Sequence, residues 1–299
     1  MDFKEELLSI IPPLSVDSHK GAAGRIGIVG GSKNYTGAPY YAAISALKVG
    51  CDLAHVFCWR DAAQVIKTYS PELIVHPILD SPNFIEEVTD YLPSLHSLVI
   101  GPGLGRDKIT FDATRSLINL AKKRDMPLVF DADALFYLNE NFQDVMSYKK
   151  AILTPNKVEF KRLYEAVLKK NLQSDGCKGE VEELSNAMGV TIAKKGPLDI
   201  ISDGSNTVLC DELGSPRRCG GQGDLLSGSM GVFSYWAHKR YPEAKTHCPT
   251  ILAALAACIL TRRCNHLAFK KFQRSMLTSD MISEIHASFS FFVSKAELV

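Results

Sequence analysis

Short, unbroken apolar runs recur along this chain, and segments with helical spacing separate most of them. The runs are Arg25 to Gly31, Leu53 to Cys58, Leu73 to Val75, Leu98 to Ile100, Leu128 to Phe130 and Ala151 to Leu153. A strand with one wet face alternates apolar and polar residues, whereas a strand covered on both faces does not. Covered strands alternating with helices predict an α/β fold, a mostly parallel sheet between two helical layers. The expected helices are Met1 to Ile11, about Tyr40 to Val49 after Pro39, Phe84 to Tyr91, Thr110 to Lys123 and Lys157 to Leu168. Thr191 to Ala193, Ile200-Ile201 and Val208-Leu209 read as further short strands, with helices filling most of the remainder. The polar stretch Lys169 to Gly179 is the best candidate for a mobile loop. No linker, repeat or low-complexity tract divides the 299 residues, so one domain spanning 1–299 is expected.

Composition narrows the function classes. A formal net charge of +1 argues against a bulk nucleic-acid binder. The longest apolar candidate for a membrane segment, Ile251 to Leu260, is alanine-rich and short, and reads as a buried helix, so no membrane role is expected. The start carries Asp2, Glu5 and Glu6, unlike a secretory or transit segment. That points to a cytoplasmic chain and leaves open a mitochondrial form made from a longer transcript. The eight cysteines contain no Cys-x-x-Cys pair and read as reduced, packed thiols, which makes a zinc site an unpromising reading.

The loops that follow the strands carry the chemistry. In open α/β sheets ligands bind at the carboxyl ends of strands. Gly30-Gly31, Gly101 to Arg106, Asp131, Asn156 and Lys195-Gly196 therefore converge on one crevice. Neither glycine cluster near the start fits a nucleotide fingerprint: Gly-Ser-Lys-Asn is not a Walker loop, and Gly101-x-Gly103-x-Gly105 lacks the dinucleotide spacing. Asn156-x-x-Glu159 reads as a helix capping pair, or as a carboxylate placed to help hold magnesium. The most informative stretch is Arg217-Arg218-Cys219-Gly220-Gly221-Gln222-Gly223-Asp224, a glycine turn feeding a helix. Such a turn points successive N–H groups at an anion, and the helix adds its positive end. Asp224 is then either an N-cap or a base. A carboxylate repels a bound phosphate, so it suits the turn only if it takes a proton from a hydroxyl that attacks the terminal phosphoryl group. The eight histidines pair with no Ser or Cys in a way that suggests a nucleophilic triad.

Taken together and in order, these motifs resemble the ATP-dependent NAD(P)H-hydrate dehydratases of eukaryotes, members of the ribokinase-like superfamily. The motifs are Gly24 to Ser32, Tyr35-Thr36-Gly37-Ala38-Pro39, Gly101 to Arg106, Phe130 to Leu135, Thr154 to Phe160 and Arg217 to Asp224. The resemblance covers nearly the whole chain. It implies a three-layer αβα sandwich with a central, mostly parallel sheet. It also implies a reaction in which ATP, with Mg2+, drives removal of water from the S form of hydrated NADH or NADPH. By motif it assigns Gly105, Asn156, Lys157, Val158, Glu159, Phe160, Lys161 and Arg162 to the hydrate, with Asp224 contacting the hydrate as catalytic base. It assigns Lys195, Gly196, Pro197, Leu198, Asp199, Gly214, Ser215, Pro216, Arg217, Arg218, Cys219, Gly220, Gly221, Gln222 and Gly223 to ATP. Glu159 is the candidate for organising magnesium, through phosphate or water. An epimerase of the two hydrates is the expected functional partner, and a homo-oligomer is compatible with the sequence. Two other readings stay open: a superfamily kinase acting on a vitamin precursor of the hydroxyethylthiazole or hydroxymethylpyrimidine type, and a nucleotide-binding module without catalysis.

Overall fold

The computed structural model describes residues 3–240 and 247–292; Met1 and Asp2 of the expected first helix lie outside the described residues. The strands are β1 (Arg25–Val29), β2 (Leu53–Phe57), β3 (Leu73–His76), β4 (Ser97–Ile100), β5 (Leu128–Phe130), β6 (Ala151–Leu153), β7 (Thr191–Lys194), β8 (Asp199–Ser202) and β9 (Thr207–Cys210). They form one nine-stranded sheet in the order β3-β2-β1-β4-β5-β6-β7-β8-β9. β1 to β7 pair in parallel, and β8 and β9 extend the sheet as antiparallel strands. The helices are α1 (Phe3–Ile10), α2 (Gly37–Val49), α3 (Arg60–Tyr69), α4 (Phe84–Tyr91), α5 (Lys108–Lys123), α6 (Asp133–Asn141), α7 (Lys157–Leu168), α8 (Lys178–Met188), α9 (Gln222–Arg240), α10 (Pro249–Phe272), α11 (Thr278–Ser283) and α12 (Ile285–Phe289).

Alternate residues of each strand serve opposite faces. Ile26, Ile28, Val99, Val129 and Ile152 pack with α2, α3, α9 and α10 in one core. Val29, Leu98, Ile100, Leu128, Phe130 and Leu153 pack with α4 to α8 in the other. Both faces are dry, which is why the strands read as unbroken apolar runs. α9 approaches its neighbours closely because it is rich in small residues. A Cβ on Gly228 would stand 2.0 Å from the Ala42 carbonyl oxygen of α2, and one on Gly231 would stand 2.6 Å from Val99.

Three expectations need correcting. α2 begins at Gly37 rather than after Pro39, because proline is tolerated in a first turn whose N–H groups have no helical partner. α10 is longer than its alanine-rich stretch and by length and composition alone could cross a bilayer, yet 72% of its most apolar window is buried within the protein. The polar stretch after α7 is tied down rather than loose: the Glu180 carboxylate accepts from the backbone N–H of Gln173, Ser174 and Cys177. α3, α6 and α8 escaped the sequence reading.

Candidate active site

The chain runs outward from β1 to β2 and β3 on one side, and from β4 to β7 on the other. The change of direction leaves a crevice beyond the carboxyl ends of β1 and β4. Two glycine loops meet there: Gly31 N–H donates to the Gly103 carbonyl at 3.0 Å. A Cβ on Gly30 would sit 2.0 Å from the Pro102 carbonyl oxygen, so only glycine fits. After β5, Ala132 adopts φ +50° and ψ −119°, a conformation that costs an alanine roughly 1–3 kcal/mol. That strained residue sits between two carboxylates with different partners. Asp133 accepts from Gly105 N–H at 3.0 Å and from Arg106 Nε at 2.9 Å. Asp131, 2% exposed, accepts from Lys195 Nζ at 2.8 Å.

Lys195 is the hub of the site. It stands just past β7, 2.8 Å from Asp131 and 3.9 Å from Glu159. Burial works to lower its pKa, but Asp131 and Glu159 outweigh it and hold the ammonium above the ordinary lysine range. Burial raises the Glu159 carboxyl and Lys195 pulls it down, with a net rise. Glu159 also closes the capping box read from sequence. Its Oε2 accepts from Asn156 N–H at 2.8 Å, and Asn156 Oδ1 accepts from Val158 and Glu159 N–H at 2.9 and 3.0 Å.

The glycine turn leads into α9 as expected. Gly221, at φ +94°, makes the turn, and its carbonyl takes the first helical bond, from Leu225 N–H at 3.0 Å. The N–H groups of Gln222, Gly223 and Asp224 thus have no intrahelical partner and face the site as a positive helix start. A Cβ on Gly223 would lie 3.5 Å from Asp131 Oδ2 and 3.7 Å from Lys195 Nζ, so the turn abuts the hub. Asp224 is half-buried in the first turn of α9. Its carboxyl is pushed up to about 8, by burial first and by Asp131 second, while Lys195 pulls it down. A carboxyl in that range is matched to accept a proton near neutrality.

A cavity of about 800 Å³ opens beside the turn. Of the residues assigned to ATP, Lys195, Gly196, Pro197, Asp199, Gly214, Ser215, Pro216, Arg218, Cys219, Gln222 and Gly223 line it, whereas Leu198, Arg217, Gly220 and Gly221 do not. The Asp199 carboxylate is committed to the protein: it accepts from Gly196 N–H at 3.0 Å and from Arg262 Nε at 2.6 Å. It therefore shapes the loop instead of presenting a free charge. Arg217 Nε is buried with no hydrogen-bond partner among the described residues. The positions assigned to the hydrate are more scattered. Asn156 lines the cavity, and Gly105 lies across the crevice against Ser32. Lys157 pairs with Asp175, Lys161 pairs with Glu165, and Val158 and Arg162 are exposed. Phe160 is the clear correction: its ring is fully buried beside Tyr164, so this side chain belongs to the core.

Sequence reasoning missed the far wall. Cys258, Thr261, Arg262 and Asn265 of α10 and Met281 of α11 line the cavity. Arg262 also donates to the Gly196 carbonyl at 2.8 Å, and Thr278 Oγ1 braces the Gly220 carbonyl at 2.6 Å. These residues reach the site through tertiary packing and carry no local motif. Among the described residues no group of three His, Cys, Asp or Glu side chains could hold a metal ion.

A helix start with free N–H groups, a carboxylate in its first turn and a three-layer sandwich make up a ribokinase-like fold. Solved structures share that fold. A ribokinase-like superfamily protein from Enterococcus faecalis superposes with a TM-score of 0.77 at 20% identity, over 96% of this chain and 94% of that one. The ADP/ATP-dependent NAD(P)H-hydrate dehydratase of Bacillus subtilis, co-crystallized with ATP/Mg2+, gives 0.72 at 19% identity over 97% of both chains. Residues 26–287 match the family model described as NAD(P)H-hydrate dehydratase, and the chain belongs to that family. It is 56% identical to the ATP-dependent (S)-NAD(P)H-hydrate dehydratase of Homo sapiens over 285 residues, 94% of this chain and 82% of the relative. The Danio rerio protein of the same name is 53% identical over 281 residues, 93% of this chain and 85% of that one.

Proposed function

We infer that this protein is an enzyme that uses ATP to remove water from the S form of hydrated NADH or NADPH, restoring the reduced nucleotide and releasing ADP and phosphate. The carrying observation is 56% identity, over 94% of the chain, to a relative named for that activity. Fold alone does not decide, because a hydroxyethylthiazole kinase from Pyrococcus horikoshii shares it at a TM-score of 0.64 and 13% identity, over 99% of this chain and 95% of that one.

The geometry suits the chemistry. Hydroxide is a poor leaving group. Asp224 takes the proton of the ring hydroxyl as that oxygen bonds to the γ-phosphorus and the bond to ADP breaks. The ring nitrogen's electron pair then expels phosphate as the carbon–oxygen bond breaks, and loss of a proton from the adjacent carbon restores the double bond. The N–H groups at the start of α9, with Lys195, stabilise charge on the transferring group. The residues present fit a magnesium ion held mainly by ATP phosphates and water, with Glu159 and Asp131, on either side of Lys195, as the protein oxygens in reach. Such an ion, when bound, neutralises phosphate charge. We further propose a reducing compartment such as the cytoplasm, in keeping with the free thiols, and an epimerase of the hydrates as functional partner.

The test is absorbance at the reduced-nicotinamide band, with purified protein, hydrated NADH and magnesium, adding ATP and ADP in separate runs. Absorbance that returns with ATP is the expected result. No recovery with either nucleotide, while ATP still binds, would favour the vitamin-precursor kinase.

A further inference from the structure

Arg262 stands in the far wall of the cavity, midway along α10, and the chemistry above gives it no task. Its side chain is 15% exposed. The guanidinium donates in three directions: from Nε to Asp199 Oδ2 at 2.6 Å, from Nη2 to the Gly196 carbonyl at 2.8 Å and from Nη1 to the Glu212 carbonyl at 3.3 Å. Asp199 Oδ1 in turn accepts from Gly196 N–H at 3.0 Å. Both peptide groups that flank the Gly196 Cα are therefore held, one through Asp199 and the other by Arg262 directly. The N–H before them, that of Lys195, donates to the Pro155 carbonyl at 2.9 Å. Burial works against charge on the guanidinium, but Asp199 outweighs it and holds the group above the ordinary arginine range. Next in the chain, Arg263 pairs with the Glu212 carboxylate at 3.5 Å and lies 5.1 Å from the centre of the Phe291 ring. Two consecutive arginines thus hold Glu212, one by its backbone and one by its side chain.

The three acceptors of Arg262 lie in two segments. Gly196 and Asp199 span the connection from β7 to β8, and Glu212 follows β9 on the way to Gly214 and the glycine turn. Both segments line the cavity, where Gly196 and Gly214 face the nucleotide space. Neither segment is held to the other by its own secondary structure, so their spacing depends on the side chain between them. A lysine ammonium is a point charge that serves one acceptor well, whereas the arginine fork presents N–H groups at fixed angles in one plane. Resting on the ATP use proposed above, we propose that Arg262 is a positioning residue for the nucleotide: it sets the spacing of the two segments that receive ATP, through Gly196, Asp199 and Glu212, and does not hold ATP itself. Loss of the fork frees the backbone on the far side of Lys195 and, in the same step, the approach to the glycine turn.

The experiment is isothermal titration calorimetry of ATP with magnesium on wild type, Arg262→Met, Asp199→Ala, the double variant and Arg262→Lys, with KM for hydrated NADH measured beside it. Arg262→Met weakens ATP binding about ten-fold, equivalent to ~1.4 kcal/mol, and leaves KM for the hydrate within about two-fold of wild type. The double variant binds ATP about as well as the weaker single variant, because both substitutions break the same link. Arg262→Lys keeps a charge beside Asp199, loses the fork and weakens ATP binding more than about two-fold. A merely structural role would lower the folded fraction, and with it the stoichiometry and kcat, and would leave the affinity of the folded molecules intact. ATP affinity within about two-fold of wild type in Arg262→Met, an equal rise in KM for the hydrate, or losses that add in full in the double variant, as a direct contact with ATP would give, overturns the inference. If Arg262→Met or Asp199→Ala fails to fold, Arg262→Lys decides, and wild-type affinity there overturns it. Wild type that binds no ATP removes the proposed function and this inference together. Wild type that binds ATP without hydrate turnover removes the proposed function alone, and the calorimetry still decides the inference.

Discussion

Asp131→Asn should move the acidic limb of the pH–rate profile to lower pH. Asp131 is one of two groups that raise the Asp224 carboxyl to about 8, the other and larger being burial, while Lys195 opposes them. A Cβ on Gly223 would lie 3.5 Å from Asp131 Oδ2. Asp224 is the next residue, which puts the two carboxylates on the order of 6–7 Å apart. At an effective dielectric constant of ~20, a unit charge at that range is worth about 2–3 kcal/mol, close to two pH units. Asp224 is only half-buried, and solvent screening reduces this to about one unit. The sign is fixed: loss of a negative neighbour favours the ionised form, so Asp224 becomes a competent base at lower pH. Asparagine keeps the side-chain shape and an oxygen for Lys195, which bonds Asp131 at 2.8 Å. The assay is kcat/KM for the hydrate against pH at saturating ATP and magnesium, wild type beside variant. The nucleotide is common to both, so the difference between the limbs is the readout. A limb that stays in place, or moves to higher pH, would refute the electrostatic coupling of Asp131 to Asp224.

Asp224→Asn should abolish dehydration while ATP still binds, which isothermal titration calorimetry would show; near-normal turnover would sink the role of Asp224. The same variant bears on stability. A carboxyl raised to about 8 in the folded state holds its proton where the unfolded chain, near 3.9, has lost it. Its burden on folding is absent below about pH 4, grows as pH rises and is complete above about 8. In the absence of nucleotide, Asp224→Asn should therefore gain on wild type at pH 8.5, by a few kcal/mol once the rise to about 8 is discounted for the solvent that reaches a half-buried group, and by nothing at pH 4, read by denaturant unfolding. Gly221→Ala sets a Cβ 2.8 Å from Tyr41 and 2.9 Å from Thr278, at φ +94°. It should cost roughly 1–2 kcal/mol and raise KM for ATP, and unchanged ATP kinetics would count against the turn as an anion site. Gly228→Ala, 2.0 Å from the Ala42 carbonyl oxygen, should cost at least about 2 kcal/mol with no local route to relief. A melting temperature equal to wild type would show that α2 and α9 can part freely.

The sheet was legible because its strands are covered on both faces, so an apolar run such as Leu128 to Phe130 needs no alternation to be recognised. The site was legible where backbone demands write themselves into sequence, as at Gly30 and Gly101, where any side chain would strike a carbonyl oxygen. α3 was not, since its alanines and polar residues leave only Ala62, Ala63 and Ile66 to mark a buried face. Nor was the wall from α10. Arg262 acts on Gly196 and Asp199 across more than sixty residues of chain, and an arginine in a long helix looks the same whether it serves a loop or solvent. Phe160 shows the converse error, since a motif names a stretch of chain while a helix turns its residues to different surroundings. Asn156, the extended N-cap residue, lines the cavity from the loop, and Phe160, one turn into α7, is packed in the core.

A carboxylate beside a phosphate-binding turn is a contradiction only if it is charged when the phosphate arrives. With its carboxyl at about 8, most Asp224 side chains are neutral at pH 7, and roughly a tenth carry the base form. An incoming triphosphate thus meets the N–H groups of α9 and the Lys195 ammonium without facing a fixed negative charge at Asp224. Lys195 is shared between Asp131 and Glu159. The ammonium pulls the Asp224 carboxyl down, against burial and Asp131, which favours ionisation as the hydroxyl approaches. Burial makes the site tolerant of ATP, and the cation makes it basic when substrate is in place. Under the proposed function, the same pair of forces that raises this carboxyl in the free protein gives Asp224 two compatible tasks.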